Sequence, residues 1–482
     1  MSGTKSKDLH LFLSRPESRA LNGVTALTTA LAKARLDALQ LLLLASLFFV
    51  AIGAMMEYFN PLGMTDFLQI YSSSRCAAHH HDPYQPAELF AFYQADTGGI
   101  PTDASVTSRT YRQIVLIAPN LPTTLFLIAP IASIPWKGAV VVWMALIAAC
   151  FILACFSVWS FGADTAPRLY AGLIILILLN SGLLLSSGNT AGLVVSLTVI
   201  AVCCFLQNRF VPAGIVCLAI ALAIKPHDAG PVWLYFFLAG GAPRKRAIQT
   251  AALTAAIIVP AVLWIAHSAP LWASELQSNL AHGLANGGLN NPGPTTAGAR
   301  GIGQIISLQA VLSLIWDDAR FYNSVSYLVC GILLILWSIR TLRVPFSLRA
   351  AWLALAAISA LTMLPFYHRT YDARLLLLAV PACATLWLEG RTQADRTNAD
   401  RTQAGHAIAG RAALWLTLAA IVFTGDIFWV AFFQITHYSG PSGIFGMIPA
   451  PLALLALAAF YLSIYFRDPA IPIPVSEPPP AQ

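Results

Sequence analysis

The sequence predicts an all-α polytopic membrane protein, and three observations support this fold class. Of its 482 residues, 57% are hydrophobic and only 10% are charged, whereas a soluble domain carries about 25% charged side chains. The mean hydropathy is +0.70. The apolar residues also form blocks of about 20, the length that crosses a bilayer. Together these observations exclude a soluble enzyme, a nucleic-acid-binding protein and a disordered scaffold.

Apolar blocks bounded by charged residues or by Pro and Gly predict twelve membrane spans. Two further apolar stretches, 115–135 and 302–316, are ambiguous by hydropathy alone. The predicted spans are 38–57, 138–160, 169–185, 190–206, 210–225, 229–241, 247–267, 321–339, 347–366, 373–388, 411–434 and 445–465.

Basic residues predict which loops face the cytoplasm. The net charge is +7, and its Lys and Arg cluster in the N-terminal head, at 244–246, at 340–349 and at 391–411. Such clusters prefer the cytoplasmic side, and all four fall there only if neither ambiguous stretch crosses. Both termini are then cytoplasmic. The first stretch also contains four prolines, which disrupt a helix interior, so it predicts a broken element at the outer face. These prolines are Pro119, Pro122, Pro130 and Pro135.

The domain organisation follows from the same pattern. No cleavable signal is predicted, because the first apolar block begins only after 36 residues. Seven of the eight cysteines lie in apolar blocks and Cys76 has no partner in its polar segment, so no disulfide framework is predicted. The predicted parts are a basic head 1–37, a membrane module 38–390, a polar linker 391–410, a C-terminal hairpin 411–466 and a disordered Pro-rich tail 467–482.

Ionisable residues at the outer ends of the spans are the candidate functional residues, because charge at a membrane rim is costly and marks pathways or sites. Asp66 follows the first span in the segment MTDFLQIY. Its carboxylate is either a helix N-cap or a general base that takes a proton from an incoming hydroxyl in a shielded cavity. Glu57 lies one helical reach away and is the alternative base.

A second polar group follows Asp66 in the same outer loop. Asp82-Pro83-Tyr84 precedes the run 86–96, whose apolar face predicts an interfacial helix on the outer leaflet. The preceding His79-His80-His81 does not predict a metal site, because consecutive histidines in a loop rarely point at one ion.

Two short turns between spans form the third group, also on the outer side. One contains Gly188-Asn189 and the other is 225–228, with the sequence KPHD. Lys225 either snorkels to the interface or, with His227, holds a phosphate at the rim.

The fourth group is the segment 367–374, YHRTYDAR, squeezed between two predicted spans. His368, Arg369 and Arg374 either bind a phosphate or a sugar, or the arginines pair with Asp372. The polar loop 268–301 either orders over a ligand as a lid or is a flexible connector.

Taken in order, these motifs resemble glycosyltransferase family 87, the polyprenol-phosphate-mannose-dependent mannosyltransferases of GT-C type. The resemblance covers roughly residues 45–390. It departs from the family pattern twice, with Ser187-Gly188 where Gly-Gln often stands before the asparagine and with 118–122 (APNLP) in place of Tyr-Pro-Pro. The motifs are Asp66-Phe67 with Tyr71, Asp82-Pro83-Tyr84, Pro122…Pro130…Pro135, Gly188-Asn189, Lys225-Pro226 and His368.

The resemblance implies an inverting sugar transferase whose cavity faces outward from the cytoplasmic membrane. Asp66 matches the general base and His368 the histidine near the reacting centre. A polyprenyl-phosphate sugar, most simply a mannose, is the expected donor, and a lipid or glycan hydroxyl is the acceptor. No metal or other cofactor and no nucleic acid partner is expected. The expected donor and phosphate contacts are Lys225, His227, Arg369, Arg374, Asn189, Tyr84 and Asp82.

Two other functions compete with this interpretation. A transporter or lipid flippase binds at the bilayer midplane, often between repeated, broken spans, but no internal repeat is visible and the polar residues cluster at one face. A structural or assembly subunit with a degenerate cavity predicts that Asp66→Asn is harmless. No P-loop, no GxGxxG after a strand and no HExxH is present, so an ATP-driven machine is not predicted.

Overall fold

The computed structural model describes residues 15–59, 63–97, 106–285, 288, 290–294, 305–394, 401–436 and 446–468. In these ranges the chain forms twenty α-helices, one 3-10 helix (Thr370–Leu378), and no strand beyond a single bridge between Ile305 and Arg369. In chain order the α-helices are α1 (Arg15–Phe59), α2 (Thr65–Ala78), α3 (Pro86–Thr97), α4 (Val106–Leu116), α5 (Pro122–Ala132), α6 (Trp136–Trp159), α7 (Pro167–Leu179), α8 (Gly182–Ser186), α9 (Ala191–Leu206), α10 (Val211–Ile224), α11 (Pro226–Leu238), α12 (Gly241–Ser268), α13 (Trp272–Leu284), α14 (Leu308–Leu312), α15 (Ala319–Arg343), α16 (Leu348–Leu361), α17 (Ala379–Ala394), α18 (Arg401–Phe423), α19 (Asp426–Thr436) and α20 (Pro449–Arg467).

The described helices confirm an all-α polytopic membrane fold. Seven helical segments in the described ranges are long and apolar enough to cross a membrane: α1, α6, α12, α15, α18, α20 and the 3-10 helix together with α17. The shorter helices α5, α7, α9, α10 and α16 are also apolar. Each of the twelve predicted spans contains a described helix. The number of crossings and the side on which each loop lies stay predictions.

The short helices α9 and α16 form the centre of the bundle. Almost every residue of both is buried, on all sides of the helix, which is the pattern of a helix surrounded by protein. Because neighbouring helices cover them, these segments need not match the thickness of the hydrocarbon core. The eight cysteines are all free thiols, as predicted.

Two predicted spans are broken in the middle, and the breaks cap each other. Span 169–185 divides between α7 and α8, and span 411–434 divides between α18 and α19. Asp426 Oδ2 accepts the Leu183 N–H at 2.7 Å, and Asn180 Oδ1 accepts the Ile427 N–H at 3.3 Å. Each break therefore satisfies an N–H at the start of the helix that follows the other break.

Three of the four prolines in the stretch 115–135 lie at breaks as predicted, whereas Pro130 lies inside α5. α4 ends at Leu116, Pro122 is the first residue of α5, and Pro135 is the N-cap of α6. A proline at the first helical position loses no hydrogen bond. In the other ambiguous stretch, the described residues form only the five-residue helix α14, which is about 8 Å long and too short to cross.

Helices run through several of the predicted domain boundaries, and the domain division itself stays a prediction. The basic head is continuous with the first span, because α1 begins at Arg15 and runs to Phe59. The segment 391–410 is helical where it is described, since α17 continues to Ala394 and α18 begins at Arg401. A Cβ on Gly390 would lie 3.0 Å from the His406 carbonyl oxygen, so these helices pack backbone to backbone. The tail from residue 469 lies outside the described residues.

Several helices lie outside the predicted spans, and α2 and α13 among them contribute to the candidate site. Helix α3 occupies the predicted interfacial run, but Leu89 and Tyr93 are fully buried in protein, so this part of its apolar face does not lie on lipid. The loop 268–301 contains the helix α13, which the sequence analysis did not predict. Phe67 of α2 stacks on Trp143 of α6, with ring centroids 4.9 Å apart and planes 9° apart. This stack fixes the start of α2 against the bundle.

Candidate functional site

A cavity of about 650 Å³ brings together residues from three of the four predicted polar groups. It lies between the start of α2, the turn before α9, the junction of α10 and α11, one face of α13 and the segment after α16. Asp66 and Lys225 both line it, although 159 positions separate them in the sequence. The other predicted site residues on its wall are Asn189, His227 and Arg369.

The Asp66 carboxylate points at an amide and does not cap a helix. Asp66 lies in the first turn of α2, whose N-cap is Met64. Its Oδ2 accepts a 2.8 Å hydrogen bond from Asn189 Nδ2, which also donates to Tyr371 Oη at 3.0 Å. Asn189 Oδ1 accepts the Ala191 N–H at 2.9 Å. This last bond fixes the orientation of the amide, so the NH₂ group faces Asp66.

Gly188 allows Asn189 to approach Asp66 so closely. Its φ is +66°, and a Cβ there would lie 2.6 Å from Met64 Sδ and 2.7 Å from Phe67 Cβ. Its carbonyl accepts the Trp143 indole N–H at 2.8 Å. Glycine is thus required both by the left-handed backbone and by contact with α2.

Burial raises the pKa of Asp66 above its ordinary value of 3.8, although the charge of Arg369, the Asn189 hydrogen bond and the charge of Lys225 oppose the rise. A carboxylate of raised pKa that keeps a hydrogen-bond donor is a stronger base than one in water. Glu57, the alternative base, lies near the end of α1 and is not part of the cavity wall.

Lys225 does not snorkel to the interface but pairs with two buried carboxylates. Its Nζ lies 2.6 Å from Asp372 Oδ1 and 3.1 Å from Asp228 Oδ2. Both acids are almost completely buried, whereas Lys225 keeps 17% of its side chain exposed. Two acids and one ammonium leave one negative charge uncompensated, which burial makes costly.

His368 supplies the missing positive charge and is not part of the cavity wall. It is fully buried. Its Nδ1 is 3.1 Å from the Phe366 carbonyl oxygen and its Nε2 is 3.0 Å from Asp228 Oδ1. Both neighbours are acceptors, and an imidazole donates at both nitrogens only when it is protonated. Burial lowers the pKa of His368, but the hydrogen bond and charge of Asp228 outweigh it and leave the pKa raised. The prediction that His368 contacts the reacting centre is therefore corrected to a positioning role.

Arg369 faces the cavity with a different set of partners. Its backbone N–H donates to Asp372 Oδ2 at 2.8 Å, and its guanidinium contacts the Tyr367 hydroxyl. The charges of Asp66 and Arg369 act on each other, as the pKa shifts of both groups show. The predicted pairing of Asp372 with an arginine side chain is replaced by its ion pair with Lys225.

Three predicted site residues lie away from this cavity. Arg374 is buried and donates to the Thr424 carbonyl at 2.8 Å, at the break between α18 and α19. Tyr84 is also buried, and its hydroxyl donates to the Asn120 carbonyl. Asp82 Oδ1 accepts the Tyr84 N–H at 2.9 Å. All three are therefore removed from the predicted donor contacts.

The histidines and acids near the site do not form a convincing metal centre. His227, Asp228 and His368 have potential ligand atoms within 4.8 Å of one another. However, Lys225 already pairs with Asp228, and a proton on His368 neutralises the cluster, whereas a divalent ion would leave an excess positive charge. In the outer loop, His79 and His81 contact the ring of Phe92, while His80 contacts His267. These three histidines do not converge.

Sequence reasoning quoted the residues that connect the predicted ones but gave them no role in the site. Asp228 and Asp372 set the charge of the site, and Tyr371 shares the Asn189 amide with Asp66. The feature that could have identified them is their position in the two charged segments 225–228 and 367–374. Nothing in the sequence indicated that these segments lie next to each other. The face of α13 on the cavity was missed because its helix lies in a loop rich in Gly and Asn.

Comparison with known proteins identified no matching family model, no matching curated protein and no matching solved structure. The resemblance to glycosyltransferase family 87 therefore stays a prediction from the motifs, and the site is interpreted from its own chemistry.

Proposed function

We propose that the protein is an inverting glycosyltransferase that moves a sugar from a polyprenyl-phosphate donor to an acceptor hydroxyl at the outer face of the membrane. The observation that carries this proposal is the shared cavity in which one carboxylate, Asp66, faces two cations, Lys225 and Arg369. A base for the incoming hydroxyl and positive charge for the departing phosphate are the two requirements of this reaction.

Arg369 is the stronger candidate to hold the donor phosphate. The charge of Lys225 is already balanced by Asp228 and Asp372, so a phosphate there would meet two carboxylates. A guanidinium also matches the geometry of a phosphate with paired N–H groups. Lys225 and His227 also line the cavity. Burial lowers the pKa of His227 to about 4, so its imidazole is neutral and offers a hydrogen bond rather than a charge. The apolar residues beside these side chains offer a surface for the first isoprene units: Ile70, Ile117, Leu121 and Ile224.

The reaction follows from these positions. The acceptor oxygen attacks the anomeric carbon from the face opposite the phosphate, and Asp66 takes its proton. The new oxygen–carbon bond forms as the bond between the anomeric carbon and the phosphate oxygen breaks. The electron pair leaves with the phosphate, whose negative charge Arg369 stabilises. One displacement inverts the anomeric centre, and the proton on Asp66 returns to water.

Transfer assays with Asp66→Asn test the proposal directly. The purified protein is incubated with a panel of radiolabelled polyprenyl-phosphate sugars and a membrane-lipid acceptor extract. We expect a labelled product from one donor, and a rate about 10²–10⁴-fold lower for Asp66→Asn, because general-base catalysis contributes that much. Asp164→Asn is the matched control, since Asp164 pairs with Arg35 on an exposed surface away from the cavity.

Two outcomes contradict the proposal. Unchanged transfer by Asp66→Asn removes Asp66 as the base. Movement of the donor lipid across a vesicle membrane, with no glycosidic product from any donor, instead identifies a flippase.

A further inference from the structure

A second cavity of about 330 Å³ adjoins the first. The two share Ile117, Asn279 and His282 on their walls. Asn279 is buried, and its amide donates to the carbonyls of Tyr84 and Ala118 at 3.2 Å each. These bonds connect α13 to the turn before α3 and to the segment between α4 and α5. The helix therefore forms a fixed wall along both cavities.

One face of α13 lines the second cavity with polar side chains. Glu275, Ser278 and His282 follow one another at helical spacing and all border it. Glu275 Oε1 accepts a 2.5 Å hydrogen bond from Gln85 Nε2. Glu275 Oε2 is buried and receives no hydrogen bond from any N–H of the described residues. The Asp82 carboxyl group hydrogen-bonds to the Glu275 side chain, and a ligand hydroxyl would offer this buried carboxylate a further donor.

The two cavities differ in charge. Lys225 and Arg369 line the first, whereas the described wall of the second contains Glu275 and neither Lys nor Arg. Asp82 lies close by. Burial, the hydrogen bond and charge of Glu275 and the charge of Glu88 outweigh the Tyr84 N–H hydrogen bond and raise the pKa of Asp82 to about 6. An anionic group in the second cavity would therefore meet like charge without a cation to compensate it.

We propose that the second cavity is the acceptor subsite and that it binds an uncharged, hydroxyl-rich glycan in preference to a phosphorylated one. This inference rests on the proposed function. The cavity has the volume of a small-molecule site, and its carboxylate, amide, hydroxyl and imidazole groups complement sugar hydroxyls. It borders the cavity that contains Asp66, so a hydroxyl of the bound glycan is presented toward the base. The anionic donor is attracted to the first cavity, which contains Lys225 and Arg369, and is repelled from the second, which contains Glu275. The uncharged acceptor is not repelled there.

Binding measurements on the intact protein in lipid nanodiscs test this subsite without requiring turnover. The probes are tritiated mannotriose and maltotriose, each compared with its 6-phosphate. We expect the wild type to bind at least one neutral trisaccharide about tenfold or more tightly than its phosphate, a difference of about 1.4 kcal/mol. Glu275→Gln removes the repelling charge and keeps the shape, so the difference should fall to about threefold or less.

A pair of tryptophan variants locates the binding. Ser278→Trp fills the cavity and should abolish trisaccharide binding, while binding of decaprenyl phosphate stays unchanged. Ser274→Trp is the matched control, because Ser274 is also exposed on the same helix but does not line the cavity. It should bind both probes as the wild type does.

Three results overturn the subsite: no binding of either neutral trisaccharide to the wild type, equal or tighter binding of the phosphates, or unchanged trisaccharide binding by Ser278→Trp. They leave the proposed function intact if the wild type still transfers sugar. The opposite combination is also informative. If the trisaccharides bind as expected but the wild type transfers no sugar, the glycan-binding site stands and the proposed function is contradicted.

Discussion

The Asp66 carboxylate accepts a hydrogen bond from the side-chain amide of Asn189, and a backbone N–H fixes the orientation of that amide. The Ala191 N–H binds Asn189 Oδ1, and the NH₂ group of the same side chain therefore points at Asp66. Replacing Asn189 by Asp would put two carboxylates face to face. The geometry thus favours an ionised Asp66 while burial opposes it, and the balance leaves its pKa above the ordinary value.

The pH profile of sugar transfer should report this raised pKa. Asp66 acts as a base only when it is ionised, so activity is present above its pKa and is lost as the pH falls through it. We expect the acid limb of kcat/KM to lie above the pH at which an exposed aspartate titrates. Asp82→Asn is the control, because Asp82 also has a raised pKa but lies outside the Asp66 cavity. A profile whose acid limb shifts in that variant would assign the limb to Asp82 instead.

His368 should contribute stability that depends on pH. Its pKa is raised in the folded protein, so its contribution is complete below the unfolded value and is lost as the pH rises through the folded pKa. His368→Ala removes one of the partners of the buried Asp228 carboxylate and should cost about 1–3 kcal/mol. His368→Gln keeps a donor that does not titrate, so thermal unfolding should lose this pH dependence while much of the stability remains.

The contrasting variant for His368 is His227→Gln, because burial lowers the pKa of His227 to about 4. A histidine whose pKa is lowered in the folded protein costs stability as the pH falls below its unfolded value. His227→Gln should therefore gain stability at acidic pH relative to the wild type, an effect of opposite sign to that of His368→Gln. A wild-type melting temperature that does not change with pH across the histidine range would contradict a protonated His368.

At the scale of elements, the site depends on how helices end. The turn before α9 brings Asn189 to Asp66, and the junction of α10 and α11 brings Lys225 to Asp372. Farther from the cavity, Arg374 satisfies the Thr424 carbonyl where α18 ends. A charged residue in an apolar chain can therefore mark a broken helix as well as a ligand site, and hydropathy alone does not distinguish the two.

Gly188→Ala tests the contact between α2 and the turn before α9. The left-handed backbone alone should cost about 1–2 kcal/mol, and the new Cβ would overlap Met64 and Phe67. We expect a lower melting temperature and weaker transfer, because Asp66 moves with α2. Gly172→Ala is the control: its Cβ meets no atom within 4 Å, and alanine in a helix interior should stabilise by about 0.5–1 kcal/mol. Equal effects of the two substitutions would remove the special role of Gly188.

At the scale of the whole molecule, the polar residues gather around two adjoining cavities, while lipid-facing helices surround a buried centre. The exposed apolar residues of α1, α12 and α15 are typical of helices in contact with lipid. The predicted sidedness places the cavities outside and the ends of α17 and α18 in the cytoplasm.

Cysteine labelling of intact cells tests this sidedness. We expect Ser274→Cys on α13 to react with an impermeant maleimide, and Gly405→Cys near the start of α18 to react only after the membrane is permeabilised. Both positions are exposed, and a Cβ at Gly405 meets no atom within 4 Å. The unsubstituted chain is the background control, because none of its eight cysteines is exposed. The reverse pattern of labelling would invert the predicted topology.

The sequence by itself determined the fold class, the positions of the helices and the residues most worth attention, because apolar blocks and isolated charges are local signals. It also placed the proline breaks before α5 and α6 correctly. It did not predict the breaks at Asn180 and Asp426, since each is stabilised by a partner more than 240 positions away. Nor did it predict that α13 is a helix.

Only the tertiary structure decided which charges meet. Lys225, Asp228, Asp372 and His368 form one neutral cluster, Arg369 reaches the cavity, and Arg374 does not. Neighbouring arginines in one short segment have the same local signal, but Arg369 is the N-cap of the 3-10 helix and lines the cavity, whereas Arg374 lies within that helix and donates to the Thr424 carbonyl. Electrostatic partners act across space over a few ångströms, and sequence distance carries almost no information about that separation.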